Sequence, residues 1–335
     1  MKFKASTLFA SILALSLTIT GCGDDDDTQP TPQPEPNLTE LVADASQFSI
    51  LEEALVRTEL DKVLGSSTDQ FTVFAPNDVA FSSLFTELGV SNLDEAIADV
   101  GAEGIKNILL YHVVSGTVTS SDLSTGYVKT EGVNGNNFNL SAYVAVTNAV
   151  NINDRSSVIS ADLSASNGVA HEIDQVLLPL TVNDIATVDP KLSSLQTSLS
   201  LAAGGLNNVL SDETQTFTLF APTDAAFDTL VDILGAANLA DLVSTLTPQG
   251  LSDVLLYHVL GTEQRQSDLS TGNVSTAFFP GGSSAPAATF FVNVGSSGVT
   301  IVDNSNNTDD ANVMMTDITG TNGSVHVIDQ VLLPQ

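Results

Sequence analysis

Forty aspartates and glutamates stand against nine lysines and arginines in this 335-residue chain, a formal charge of −31, and that field repels nucleic acid and anionic lipid headgroups. The single cysteine excludes an internal disulfide, a cysteine-rich zinc cluster and a CxxC redox pair. Ordinary apolar content over this length is more than one common core needs and suits two domains of about 150 residues each.

In chain order, Lys2 and Lys4 precede an apolar stretch from Ala5 to Thr20, too short for a membrane span and read as a signal peptide over residues 1–21. Ile19-Thr20-Gly21-Cys22 resembles a bacterial lipobox, with Cys22 as the lipidated residue; a plain secretory site with a stray cysteine is the competing reading, and the cysteine's position argues against it. Loss of the signal leaves 7 basic against 40 acidic side chains, a formal −33, a charge that serves solubility. Residues 22–36 read as an Asp/Pro-rich disordered tether: "GDDDDTQPTPQPEPN" has nothing apolar to pack and could reach about 45 Å from Cys22. The Asp24–Asp27 run resembles acidic sorting signals of surface lipoproteins, or else is simply solvated charge.

Past the tether the chain repeats itself. "FTVFAPNDVAF" at 71–81 and "FTLFAPTDAAF" at 217–227 share eight of eleven residues at an offset of 146, which widens to 155 between His171 and His326. Two domains follow, 37–179 and 180–335, with nine extra residues in the second. Each copy opens with helices. Ser49 and Glu52 form a capping-box pattern ahead of Leu51, Leu55 and Val56 at helical spacing. A short strand over Phe71–Ala75 ends at Pro76, and Asn77-Asp78 or Thr223-Asp224 supplies the cap of the next helix. A further helix over Glu103–Leu110 runs into "YHVV", and the rest is strand-rich, with turn signals such as Asn134-Gly135 and a closing "IDQVLLP". Helices first and an antiparallel sheet afterwards predict an α+β fold.

"FTVFAPNDVAF", "LLYHVV" and "NGVAHEIDQVLLP", repeated as "FTLFAPTDAAF", "LLYHVL" and "NGSVHVIDQVLLP", resemble the first conserved block, the Tyr-His motif and the second conserved block of the fasciclin (FAS1) family. Ala170 departs from the larger aliphatic residue usual there. The resemblance implies two tandem domains, each a wedge-shaped β-sandwich with several helices, and a role in extracellular adhesion.

All four histidines lie in these motifs. His112 and His258, each after a tyrosine (Tyr111, Tyr257) at a helix-to-strand junction, are expected to be buried with both ring nitrogens bonded to backbone groups. A metal or catalytic role would need neighbours, and no HxH, HExxH or Cys/His cluster is present. His171 and His326 follow Asn-Gly turns; Asp174 and Asp329, three residues on, fall on the opposite strand face, so a catalytic couple within the motif is awkward, though an acid from elsewhere could pair with the ring. There is no GxSxG elbow, P-loop or dinucleotide fingerprint. "DNSNNTDD" at 303–310 lacks the glycine and the final glutamate of a calcium loop, leaving an exposed polar loop or adventitious calcium binding.

In the second copy "AFFPGGSSAPAATFF" reads as two strand ends carrying Phe278-Phe279 and Phe290-Phe291. Neighbouring strand residues face opposite ways, so one of each pair should leave the core and form a contact patch, or else pack under a helix or the neighbouring domain. These readings describe a lipid-anchored protein of the bacterial envelope, at the outer membrane or cell surface. It would be a non-enzyme without cofactor that binds a protein or polysaccharide partner. A small-ligand protein with an interdomain site is the alternative, and a hydrolase the weakest reading.

Overall fold

The computed structural model describes residues 35–66, 68–280, 286–296, 298–303 and 309–334. The signal peptide, Cys22, the Asp24–Asp27 run and most of the tether lie outside the described residues, as do the middle of the 303–310 loop and the centre of the Pro/Gly/Ser connection. No single described helix is long and apolar enough to cross a membrane.

The described residues from 37 to 334 carry one element plan twice. The first module runs α1 (Leu38–Ala43), α2 (Ser49–Arg57), α3 (Leu60–Leu64), β1 (Phe71–Pro76), α4 (Asp78–Leu88), α5 (Leu93–Val100) and α6 (Ala102–Leu110). Strands β2 (Val113–Ser115), β3 (Gly126–Val133), β4 (Asn139–Val146), β5 (Val150–Ile152), β6 (Ser156–Ala165) and β7 (Gly168–Ile173) follow. The second module repeats this with α7 (Val182–Val188), α8 (Ser193–Leu201), α9 (Leu206–Leu210), β8 (Phe217–Pro222), α10 (Asp224–Leu234) and α11 (Leu239–Tyr257). Its strands are β9 (Val259–Leu260), β10 (Gly272–Ser275), β11 (Thr289–Gly295), β12 (Gly298–Val302), β13 (Ala311–Gly320) and β14 (Gly323–Ile328). Helix α11 is the counterpart of α5 and α6 together, kinked at Thr247-Pro248.

Each seven-stranded sheet has the order β2-β1-β7-β6-β5-β4-β3 or its equivalent. Among the described strands only β1 with β7, and β8 with β14, run parallel. The first sheet curls until β3 lies against β2, so that helices and a barrel-like sheet together make an α+β module. Strand β1 feeds two cores by parity. Phe71, Val73 and Ala75 face the helices, while Phe74 enters the interior of the curled sheet with Tyr111, Leu140, Ile152 and Ile173. Phe217, Leu219 and Ala221 against Phe220 repeat the division.

The Ser49/Glu52 capping box does not form. Phe48 is the N-cap of α2, and the Asp78 carboxylate takes hydrogen bonds from the Ser49 hydroxyl (2.6 Å) and the Ile50 N–H (2.9 Å). Asp224 does the same for Ser193 and Ser194. An acid at the start of one helix thus also neutralises the N-terminus of another. Boxes form instead at Asn37/Glu40 and Thr181/Asp184. Asn77 and Thr223 cap α4 and α10 as their positions predict.

Candidate functional site

Tyr111, His112 and their counterparts sit where a helix turns into a strand, leaving terminal carbonyls that need donors. The buried His112 ring supplies one: its Nδ1 lies 2.7 Å from the Ile108 carbonyl, and its Nε2 accepts the Leu177 N–H at 2.8 Å. A carbonyl only accepts, so the proton is on Nδ1 and the ring is neutral. His258 copies this between Val254 and Leu332. Burial lowers both rings to about 4. The Tyr111 hydroxyl donates to the Ser141 carbonyl and accepts from Asn153 Nδ2, tying α6 to β4 and β5, while the Tyr257 hydroxyl donates to the Thr289 carbonyl.

His171 and His326 do a different task with the opposite tautomer. Strand β6 bulges between Ser160 and Leu163, with Asp162 at φ 59°, and β13 bulges with Asp317 at φ 60°. A bulge leaves an N–H out of the ladder. His171 Nδ1 accepts that of Asp162 (3.2 Å), and its Nε2–H donates to the Val118 carbonyl (2.9 Å). His326 repeats this with Asp317 and Gln264, and burial lowers its pKa. The acid beside His171 is therefore Asp162, 3.9 Å away, whose oxygens are taken by the Ser120 N–H and hydroxyl. Asp174 and Asp329 instead bind Ser156 and Ser157, and Asn312. Across both motifs every ring nitrogen has a protein partner, so the arrangement positions backbone and leaves no imidazole lone pair for a metal or a proton relay.

Two residues beyond the tyrosines and histidines belong to this framework. Buried Asn167 accepts the Leu38 N–H and donates to the carbonyls of Leu64 and Ser66. Asn322 clamps Val182, Leu210 and Asp212 in the same way. The signal for both was the recurring Asn-Gly, which reads as a turn. Its glycine answers a close approach, since a Cβ on Gly168 would sit 1.9 Å from the Phe71 carbonyl oxygen.

The four phenylalanines do not form one patch. Phe290 is 1% exposed and stacks edge-on against Phe220 and Tyr257, and Phe278 packs on the same cluster. Phe290 is a core residue, on the inward face of β11 that continues through Val292, and Phe278 is half-buried against it. Phe278-Phe279 also lies beyond the end of β10 and not in a strand. Phe279 and Phe291, at 41% and 40%, are the pair left outward.

The modules meet through the Asn134–Phe138 turn. Asn134 and Asn136 donate side-chain hydrogen bonds to Glu263, which also accepts from Ser324. Ser141 Oγ accepts the Thr319 N–H at 3.0 Å. The Arg265 guanidinium lies 4.6 Å from the centre of the Phe138 ring. A cleft of about 230 Å³ is lined by Tyr127 and Tyr143 of the first module and Asp189, Lys191, Thr223 and Met315 of the second. The tyrosines form an edge-to-face pair at 5.0 Å, and burial followed by the Asp189 charge raises both hydroxyl pKa values.

Known proteins match both modules. A model of the fasciclin domain covers residues 46–179 and 190–334. Transforming growth factor-beta-induced protein ig-h3 of Oryctolagus cuniculus is 30% identical over 285 residues, 83% of this chain and 37% of its own length. Human periostin is 27% identical over 270 residues, 79% of this chain and 28% of its own. Protein sll1483 of Synechocystis is 34% identical over 142 residues, 42% of this chain and 73% of its own. The chain thus spans little more than a third of the ig-h3 relative. The FAS1 domain pair from the insect cell adhesion molecule fasciclin I aligns with a TM-score of 0.51 at 21% identity, covering 85% of this chain and 97% of that one, a likeness of fold. With two segments matched, three motifs repeated and the paired architecture shared, this chain belongs to the fasciclin domain family as a tandem of two domains.

Proposed function

We propose that this chain is an extracellular interaction protein of the bacterial envelope, anchored by lipid on Cys22 and engaging a cell-surface or matrix partner, protein or polysaccharide, through its outer faces. One observation carries the reading: the motif tyrosines and histidines are spent on backbone, while Phe279 and Phe291 stay about 40% exposed on a folded module. Exposed aromatic rings on a rigid body supply contact area at low entropic cost. The origin of the paired-domain relative in a cell adhesion molecule supports the same direction. A host strain carrying Phe279→Ser with Phe291→Ser should attach less to its surface, with the circular dichroism of the purified protein unchanged. Undiminished attachment overturns the aromatic contact. Cys22→Ser should move the chain from the membrane fraction to the soluble one.

A second reading rests on the cleft between the modules, where Asp189, Lys191 and two tyrosines converge on a space of small-molecule size. A panel of free sugars and amino acids would register such a site as a rise in Tm that Lys191→Ala abolishes.

A further inference from the structure

The second module holds an apolar pocket of about 190 Å³ whose wall is Leu199, Leu206, Leu210, Phe217 and Leu255, with Val209, Gln215, Gly261 and Ala277 at its mouth. The wall is not peculiar to this module. The element plan and the offsets of 144 at α8 and 146 from α9 onward match it to Leu55, Leu60, Leu64, Phe71 and Leu109 of the first. There Leu55, Leu64 and Leu109 border a space of about 10 Å³ that reaches inward to Leu38, Val42 and Phe74, a deeper void than the pocket of the second module.

The two mouths differ. In the first module Ser115 lies opposite Phe71 in the β1–β2 ladder, and its hydroxyl donates to Glu131 at 2.6 Å, a bonded polar pair at the positions equivalent to Gly261 and Ala277. At the same places the second module has Gly261 and Ala277, 146 residues on, so the pair is missing. The α8–α9 connection is also longer: Ala202 to Gly205 stands where Thr58 and Glu59 join α2 to α3, and Thr58 is buried against α2. A duplicated fold therefore offers its own control, with a bonded polar pair in one copy where the other has Gly261 and Ala277.

We propose that this pocket is a binding site for a short, uncharged aliphatic chain. The lining is almost wholly carbon, and Gln215, the one amide at the mouth, is held by the Asp212 carboxylate at 2.9 Å. Hydrogen bonds from Thr214 and then Gln215 keep Asp212 below the usual carboxylate range, so a negative charge stands beside the opening at neutral pH. With Glu213 next to it and a chain of −31, a carboxylate-headed ligand is disfavoured against an alcohol or a neutral glycolipid tail. An engineered dry cavity of about 150 Å³ accepts benzene, so 190 Å³ suits a chain of about six to eight carbons.

The test titrates the full chain with 1-hexanol and with hexanoate and follows methyl resonances of Leu206, Leu210 and Leu255. Saturable shifts with 1-hexanol are expected, with hexanoate at least ten-fold weaker. Gly261→Ser combined with Ala277→Glu should weaken 1-hexanol ten-fold or more; a Cβ on Gly261 meets nothing within 4 Å, so the change is sterically open. The reciprocal Ser115→Gly with Glu131→Ala should create a second saturable site, reported by Leu64 and Leu109. This variant decides the matter should the first fail to fold. Non-saturating shifts, an affinity indifferent to the introduced pair, or no site gained in the first module would each overturn the proposal.

Discussion

At the scale of single residues, the histidines determine how the fold answers to pH. For His112 and His258 the folded pKa of about 4 lies below the unfolded value of about 6.5, so the unfolded chain takes up the proton first. The stabilisation from a neutral buried ring is complete above about pH 6.5 and is lost as pH falls through that window toward 4, about 3 kcal/mol per ring. Imidazole resonances of these two residues should therefore stay at their neutral positions from pH 7.5 to 5; a shift centred near 6.5 would contradict the bonding described. Asn167 has a comparable weight. Asn167→Ala strands a buried N–H and two carbonyls and should cost about 3 kcal/mol in denaturant unfolding, whereas a surface asparagine would cost almost nothing. The burial of the Tyr-His histidines was legible in sequence, since a ring between Tyr and Val at a junction has backbone to serve. The clamp was not: the partners of Asn167 lie 101 to 129 residues away, and nothing local separates a clamping asparagine from a turn-forming one.

At the scale of elements, strands and helix caps were readable wherever the chemistry is local. Pro76 closes β1, and Asn77 caps α4 with its own side chain. Ser49 with Glu52 satisfies the same local pattern as Asn37 with Glu40, yet only the second pair forms a box, because Asp78 arrives from another helix and takes the first one's donors. The bend before the Tyr-His helix shows the converse, one geometry from two sequences. Gly101 adopts φ 85°, ψ 154° in the first module, and its counterpart Thr247 is held at φ 64°, ψ 156°, a region that suits glycine alone. Pro248 behind it tolerates the kink but does nothing to relieve the threonine. Thr247→Gly should therefore stabilise the second module by about 1 kcal/mol, net of the extra unfolded-state freedom and a long contact to Gly250. Gly101→Thr should destabilise the first by a similar amount or more. A lower Tm for Thr247→Gly would mean that the Gly250 contact outweighs the strain.

At the scale of the whole molecule, the repeat predicts two modules but not how they meet, since the contact uses residues in which the copies differ. Arg265 stands where the first module has Thr119, and it alone of the two reaches across. Its side chain is 12% exposed, with one nitrogen 3.4 Å from Asp317, another donating to Thr319, and the guanidinium plane against Phe138 of the other module. Desolvated in this way, a cation over an aromatic ring contributes up to about 2 kcal/mol and is little screened by salt. Removing it also leaves Asp317 without its cation, next to the strand that donates the Thr319 N–H to Ser141. Arg265→Ala should therefore speed hydrogen exchange at Thr319 ten-fold or more and broaden the interdomain distances in solution scattering, with each module still folded. Arg265→Lys keeps the charge but not the planar fork, so it should fall between the two. Exchange at Thr319 unchanged in the alanine variant would transfer the joint to the Glu263 cluster, where Asn134, Asn136 and Ser324 share one carboxylate and Glu263→Ala becomes the variant that parts the modules.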